Sequence, residues 1–83
     1  LGDVYKRQEL SGYHAEALIA TGDFGRAEWV LREGLHELGG ESGSSRQIAR
    51  LLAQLAKVMY TRGEASDARY LEQRALRQLT ASA

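Results

Sequence analysis

The sequence contains no cysteine. That removes any disulfide framework and any thiolate metal centre, so a small secreted scaffold stapled by bridges is excluded and a cytoplasmic setting is expected. Nor does any apolar run approach the ~18 residues a spanning helix needs, and no apolar segment ends in a small-residue cleavage site, so no membrane partner is expected. Positive charge is not in excess either. The 11 basic and 11 acidic residues cancel, and phosphate neutralisation needs a surplus of Lys and Arg, so a nucleic-acid partner is not expected. The 83 residues fit one small domain or a piece of a larger one, and a domain near this size buries a thin core, about 60% of the surface its unfolded chain exposes.

The neutral total conceals a split. Residues 1–43 carry four basic and eight acidic side chains, a balance of −4, whereas residues 44–83 carry seven and three, a balance of +4.

Hydrophobic spacing predicts four helices. The first, at about 8–21, has Leu10, His14, Ala17 and Leu18 at helical intervals and stops at Gly22. Asp23 is a good N-cap for a second helix at 24–38, whose face is Phe24, Ala27, Leu31, Gly34, Leu35 and Leu38. A flexible stretch, Gly39 to Ser45, separates it from a third helix at 45–62, for which Ser44 and Gln47 have capping-box spacing. The third has the strongest period, Ile48, Leu51, Leu52, Leu55, Ala56 and Met59, and ends at Gly63. A fourth, at 65–80, carries Ala68, Leu71, Ala75, Leu76 and Leu79. The expected fold is all-α, two tandem helix-turn-helix hairpins.

The two hairpins echo each other. Gly22 and Gly63, Asp23 and Glu64, Ala27 and Ala68, Gly34 and Ala75, and Leu35 and Leu76 are each 41 residues apart. Small residues at 27/68 and 34/75 have a steric purpose, because a large side chain would force closely crossing helices apart. This pattern, Gly-acidic-x-x-x-Ala-x(6)-small-Leu, carried by "GDFGRAEWVLREGL" and "GEASDARYLEQRAL" and preceded by "LLAQLAKVMY", resembles the tetratricopeptide repeat. The usual period of that repeat is about 34 residues; the 41 found here is similar to longer-period variants in kinesin light chain and in bacterial regulatory proteins. The resemblance covers Glu9 to Ala83, with repeats at 9–40 and 41–83. Its small first-helix residue is present as Ala15 and Ala56, but His14 occupies a leucine slot and the closing proline is absent. The opening "LGDVYKRQ" lacks Met and resembles translated sequencing-adapter read-through at the end of a metagenomic reading frame, so residues 1–8 are expected to be a non-native leader.

No chemical centre stands out. His14 and His36 lack the spacing that puts two imidazoles on one helix face, and Glu33, His36 and Glu37 read as a solvated acidic turn. "LGGESGSS" lacks the Gly-Lys-Ser/Thr ending of a phosphate loop. No serine sits in a nucleophile elbow, and no carboxylate pair is set apart for acid and base work. Neither an enzyme nor a cofactor or metal is expected. His14 is expected half-buried between the first two helices, and Trp29 either exposed or, more usually for a lone Trp, filling the seam with the fourth helix. Arg62, Arg69, Arg74 and Arg77 make the fourth helix basic, which reads as a solvated face.

The resemblance implies that the first helix of each hairpin lines a concave groove. Candidate partner-binding residues are then Glu9, Gly12, Glu16 and Ile19 in the first copy and Arg50, Ala53, Lys57 and Tyr60 in the second. The 41-residue offset pairs Glu9 with Arg50 and Glu16 with Lys57, and these oppositely charged pairs are expected to approach one another. A clamp for a peptide's terminal carboxylate uses Lys and Asn in that family; Gly12, Glu16 and Ala53 stand there, so such a clamp is not expected. Leu71, Leu76 and Leu79 are expected to want partners, which implies a longer array or weak head-to-tail self-association. The leading expectation is a protein-interaction scaffold segment that binds a partner peptide, helix or neighbouring domain of its parent protein. The alternative is a ligand-sensing or regulatory helical segment of a bacterial transcription regulator or signalling kinase.

Overall fold

In the computed structural model, the backbone of residues 2–39 and 45–81 and the side chains of residues 11–38 and 45–80 are described. The chain is all-α, with helices α1 (Gly2–Ala20), α2 (Phe24–Gly39), α3 (Ser45–Thr61) and α4 (Ala65–Ala81). They pack as two hairpin-like pairs, α1 on α2 and α3 on α4, and α3 also lies against both helices of the first pair. Among the described residues the backbone of α4 comes close to that of α3 alone, so the helices stack in order and do not close into a ring.

The two turns are copies down to the backbone hydrogen bonds. Gly22 and Gly63 have φ of 81° and 82°, the left-handed conformation that a side chain disfavours. Asp23 N–H donates to Leu18 O and Glu64 N–H to Met59 O, both at 2.8 Å. Gly22 N–H donates to Ile19 O at 3.0 Å, matching Gly63 N–H to Tyr60 O at 3.1 Å. These bonds occupy carbonyls that a helix end would otherwise leave unsatisfied. Asp23 then caps α2, accepting Arg26 N–H on Oδ1 at 3.4 Å.

Packing follows the small residues. Ala15, Ala27 and Ala68 are fully buried, Ala56 nearly so, and Leu31, Leu38, Leu52, Leu55, Val58 and Met59 fill the centre. At Gly34 a Cβ would stand 3.1 Å from Leu51 Cδ1 and 3.2 Å from Ser11 Cβ, so α1, α2 and α3 converge where no side chain intervenes.

Four expectations are corrected. α1 begins at Gly2, not near residue 8, because nothing in the leading residues breaks a helix. Its buried positions include Gly12 and Ala15, with Leu18 and Ile19 half-buried, while His14 and Ala17 are exposed. The close approach selects small residues, so the buried face is turned from His14 and Ala17 toward Gly12 and Ala15, while Leu18 of the expected stripe packs against the core. Trp29 is 65% exposed and does not fill the seam with α4, since α2 and α4 are held apart by α3. Leu71 needs no further cover, being 6% exposed. As for the predicted capping box, Ser44 lies outside the described residues, and Gln47 Oε1 is buried without a hydrogen-bond partner.

Candidate functional site

The candidate residues come chiefly from the adjoining faces of α1 and α3. Gly12 is the pivot. It is buried, and its missing side chain leaves room for Gln54 and Arg50, whose Oε1 and Nε lie 3.5 and 3.8 Å from the position a Cβ would take. Gln54 Nε2 donates to the Gly12 carbonyl at 3.3 Å and to Glu16 Oε1 at 3.4 Å, while Gln54 Oε1 is buried with no hydrogen-bond partner. Arg50 Nη2 meets the same Glu16 oxygen at 3.5 Å, and its guanidinium carbon sits 5.4 Å from the centroid of the Tyr13 ring. Tyr13, Glu16 and Arg50 are exposed.

The expected pairing of Glu16 with Lys57 is therefore not made. Glu16 reaches Arg50 and Gln54 because both extend over the gap at Gly12, one turn before it on α1. Glu9 lies in α1, and its side chain, with the expected contact to Arg50, falls outside the described residues. Beside the Arg50 cluster, Glu16, Ile19, Ala20, Gln54 and Lys57 line a depression of about 370 Å³ between α1 and α3. Ile19 is half-buried, and Lys57 is exposed at the rim.

Tyr60 and Ala53 face the other way across α3. Tyr60 OH donates to Glu72 Oε1 on α4 at 2.6 Å. That hydrogen bond, then burial and the charge of Glu72, raise the Tyr60 phenol above its ordinary value of 10.0, with Arg69 opposing. Ala53 and Arg50 border a groove of about 450 Å³ between α3 and α4, floored by Ala49, Ala75, Leu76 and Leu79. The predicted residues whose side chains are described thus do not line one continuous groove. Those described divide between a polar α1/α3 surface and an apolar α3/α4 one, with Arg50 on the ridge between them.

Sequence reasoning missed Gln54 and Tyr13. Gln54 is one helical turn from Arg50, and the gap at Gly12 opposite was the available signal for both long side chains. It also missed a carboxylate that joins the hairpins: Glu28 Oε1 meets Arg62 Nη1 at 2.6 Å, and Glu28 Oε2 meets Arg32 Nε at 2.9 Å. Among the described residues, no group of three or more His, Asp or Glu converges on a point that would hold a metal ion. No described helix is long and apolar enough to cross a membrane.

The chain matches no family model, no curated protein and no solved structure.

Proposed function

We propose that this chain is a tetratricopeptide-like segment of a cytoplasmic interaction scaffold, binding an extended or helical protein segment across the inner surface of α1 and α3. The observation that carries this reading is the repetition of the Gly22 turn at Gly63 with matching φ and matching hydrogen bonds, which sets α1 and α3 side by side as equivalent elements. Their shared surface offers what a peptide needs: an exposed aromatic at Tyr13, a guanidinium at Arg50 paired with Glu16, an exposed ammonium at Lys57 and the half-buried apolar Ile19. Glu16, itself held by Gln54, meets Arg50, so part of the ordering cost of Arg50 is met before a partner arrives. The charge balance favours protein over nucleic acid as partner, because the basic groups here are interleaved with Glu16.

Peptide selection from a random library against the intact chain, followed by amide chemical-shift mapping, tests the reading. Selected peptides should shift Tyr13, Glu16, Arg50, Gln54 and Lys57, and a Tyr13→Ala, Lys57→Ala variant should lose them. Binders that map to the outward faces of α2 and α4, or failure to select any, would overturn it.

A further inference from the structure

The α3/α4 groove is the second-copy counterpart of a surface that the chain itself covers. In the first copy, α3 lies over Gly34 and beside Leu35, and Leu38 is fully buried: Leu51 Cδ1 stands 3.1 Å from where a Gly34 Cβ would be, and Leu55 lines a depression with Leu35 and with Leu71 and Arg74 of α4. Advanced by the 41-residue offset, those positions are Ala75, Leu76 and Leu79, the floor of the α3/α4 groove. There Leu76 is 64% exposed, although Leu35 is half-buried. The geometry that α3 satisfies on the first hairpin is repeated on the second.

The charges are not repeated. Among the described residues, two ion pairs hold α3 and the turn after it on the first hairpin, Arg50 with Glu16 and Arg62 with Glu28. The counterparts of Glu16 and Glu28 are Lys57 and Arg69, both exposed. A helix seated on the second hairpin as α3 is seated on the first therefore meets two cations where α3 meets two anions.

We propose that the α3/α4 groove is a docking site for an acidic amphipathic helix of a partner protein. That helix carries leucines where α3 has Leu51 and Leu55, and carboxylates where α3 has Arg50 and Arg62. This register excludes α3 of a second copy, which would set Arg50 against Lys57 and Arg62 against Arg69. It also disfavours α1 of a second copy, whose sequence has Glu9 and Leu10 at the first two positions but His14 in place of the second leucine and Thr21 in place of the second carboxylate. Glu72 stands in the groove where the first copy has Leu31, and its carboxylate is already met by Tyr60 OH at 2.6 Å. The proposal shares Lys57 and the ridge residue Arg50 with the inner-surface reading, but Leu76 and Arg69, on which its test turns, lie outside that surface.

The probe is a synthetic peptide of residues 45–62 with Arg50→Glu and Arg62→Glu, held helical by a staple on its outward side; the unaltered stapled peptide is the control. Calorimetric titration into the intact chain should show the acidic peptide binding at least about tenfold more tightly than the control, with the preference shrinking as salt is added. Leu76→Glu in the chain should weaken it by about tenfold or more with helicity unchanged, and Arg69→Glu should narrow the gap between the two peptides. Equal binding of both peptides, binding untouched by Leu76→Glu, or no binding would overturn the proposal. So would sedimentation showing that the chain self-associates and that Leu76→Glu makes it monomeric, since the occupant would then be a second copy.

Discussion

Arg62, in the turn that follows α3, brings Nη1 to 2.6 Å from Oε1 of Glu28 in α2, and so ties the end of one hairpin to the flank of the other. Glu28 is the less exposed partner, at 24% against 42%, and its second oxygen is held by Arg32. A shared, part-shielded carboxylate lies toward the upper end of the ~0–1 kcal/mol that such pairs contribute. A double-mutant cycle with Glu28→Gln and Arg62→Gln should therefore give a coupling of about 0.5–1 kcal/mol in urea unfolding at low salt, diminishing at high salt. Single mutants whose effects simply add at low salt would show that the bridge does not join the hairpins.

Two glycines of α2 should respond in opposite directions. Gly25 is exposed with nothing within 4 Å of a Cβ, so Gly25→Ala should stabilise the chain by about 0.5 kcal/mol by restricting the unfolded state. A Cβ at Gly34 would stand 3.1 and 3.2 Å from Leu51 Cδ1 and Ser11 Cβ, and a leucine there must push α1 or α3 aside. Gly34→Leu should cost about 1–3 kcal/mol or more. Thermal unfolding of both variants checks the contrast, and a tolerated Gly34→Leu would mean the three helices do not converge there.

At the turns the effect is one of backbone alone. Neither Gly22 nor Gly63 has an atom within 4 Å of a Cβ, yet φ is near +80° at both, at 81° and 82°. Alanine at either should cost about 1–2 kcal/mol, and because the two turns make matching hydrogen bonds the two costs should agree. Unequal losses in denaturant unfolding would show that the turns differ in something the backbone does not record.

Much of this was legible in the sequence, and the part that was not has a physical reason. The left-handed glycines, the buried Ala27 and Ala68 and the α2 face announce themselves because each satisfies a local steric rule, and the 41-residue offset repeats it. α1 was misread because its contact is made by Gly12 and Ala15, and hydrophobic periodicity gives small residues little weight. The cross-hairpin contacts were missed for a different reason. Arg50 with Glu16 and Arg62 with Glu28 are each 34 residues apart, and long, flexible side chains do not respect the offset that governs the backbone. Exposure of Leu76 against shielding of Leu35 is likewise invisible in one-dimensional pattern, since it depends on which helix lies above.

The Tyr60 to Glu72 bond makes a pH prediction with a definite sign. Its hydroxyl must carry a proton to donate across the 2.6 Å to Glu72, and the hydrogen bond raises the phenol above 10.0 in the folded chain. In the unfolded chain Tyr60 ionises near its ordinary value, so the folded state holds the proton over a range in which the unfolded state has released it. The contribution is then fully present below pH 10.0 and is lost as pH rises through the raised folded value. Tyr60→Phe removes the group from both states and leaves the other tyrosines in place. The stability difference between the parent chain and Tyr60→Phe should hold steady from about pH 7 to about pH 9 and shrink above about pH 10. Ultraviolet titration should show one tyrosine ionising late in the parent chain and earlier in Glu72→Gln, where a neutral acceptor replaces the carboxylate. A stability difference that stays constant through the alkaline range, with no late-titrating tyrosine, would mean that α3 and α4 are not joined by this bond in solution.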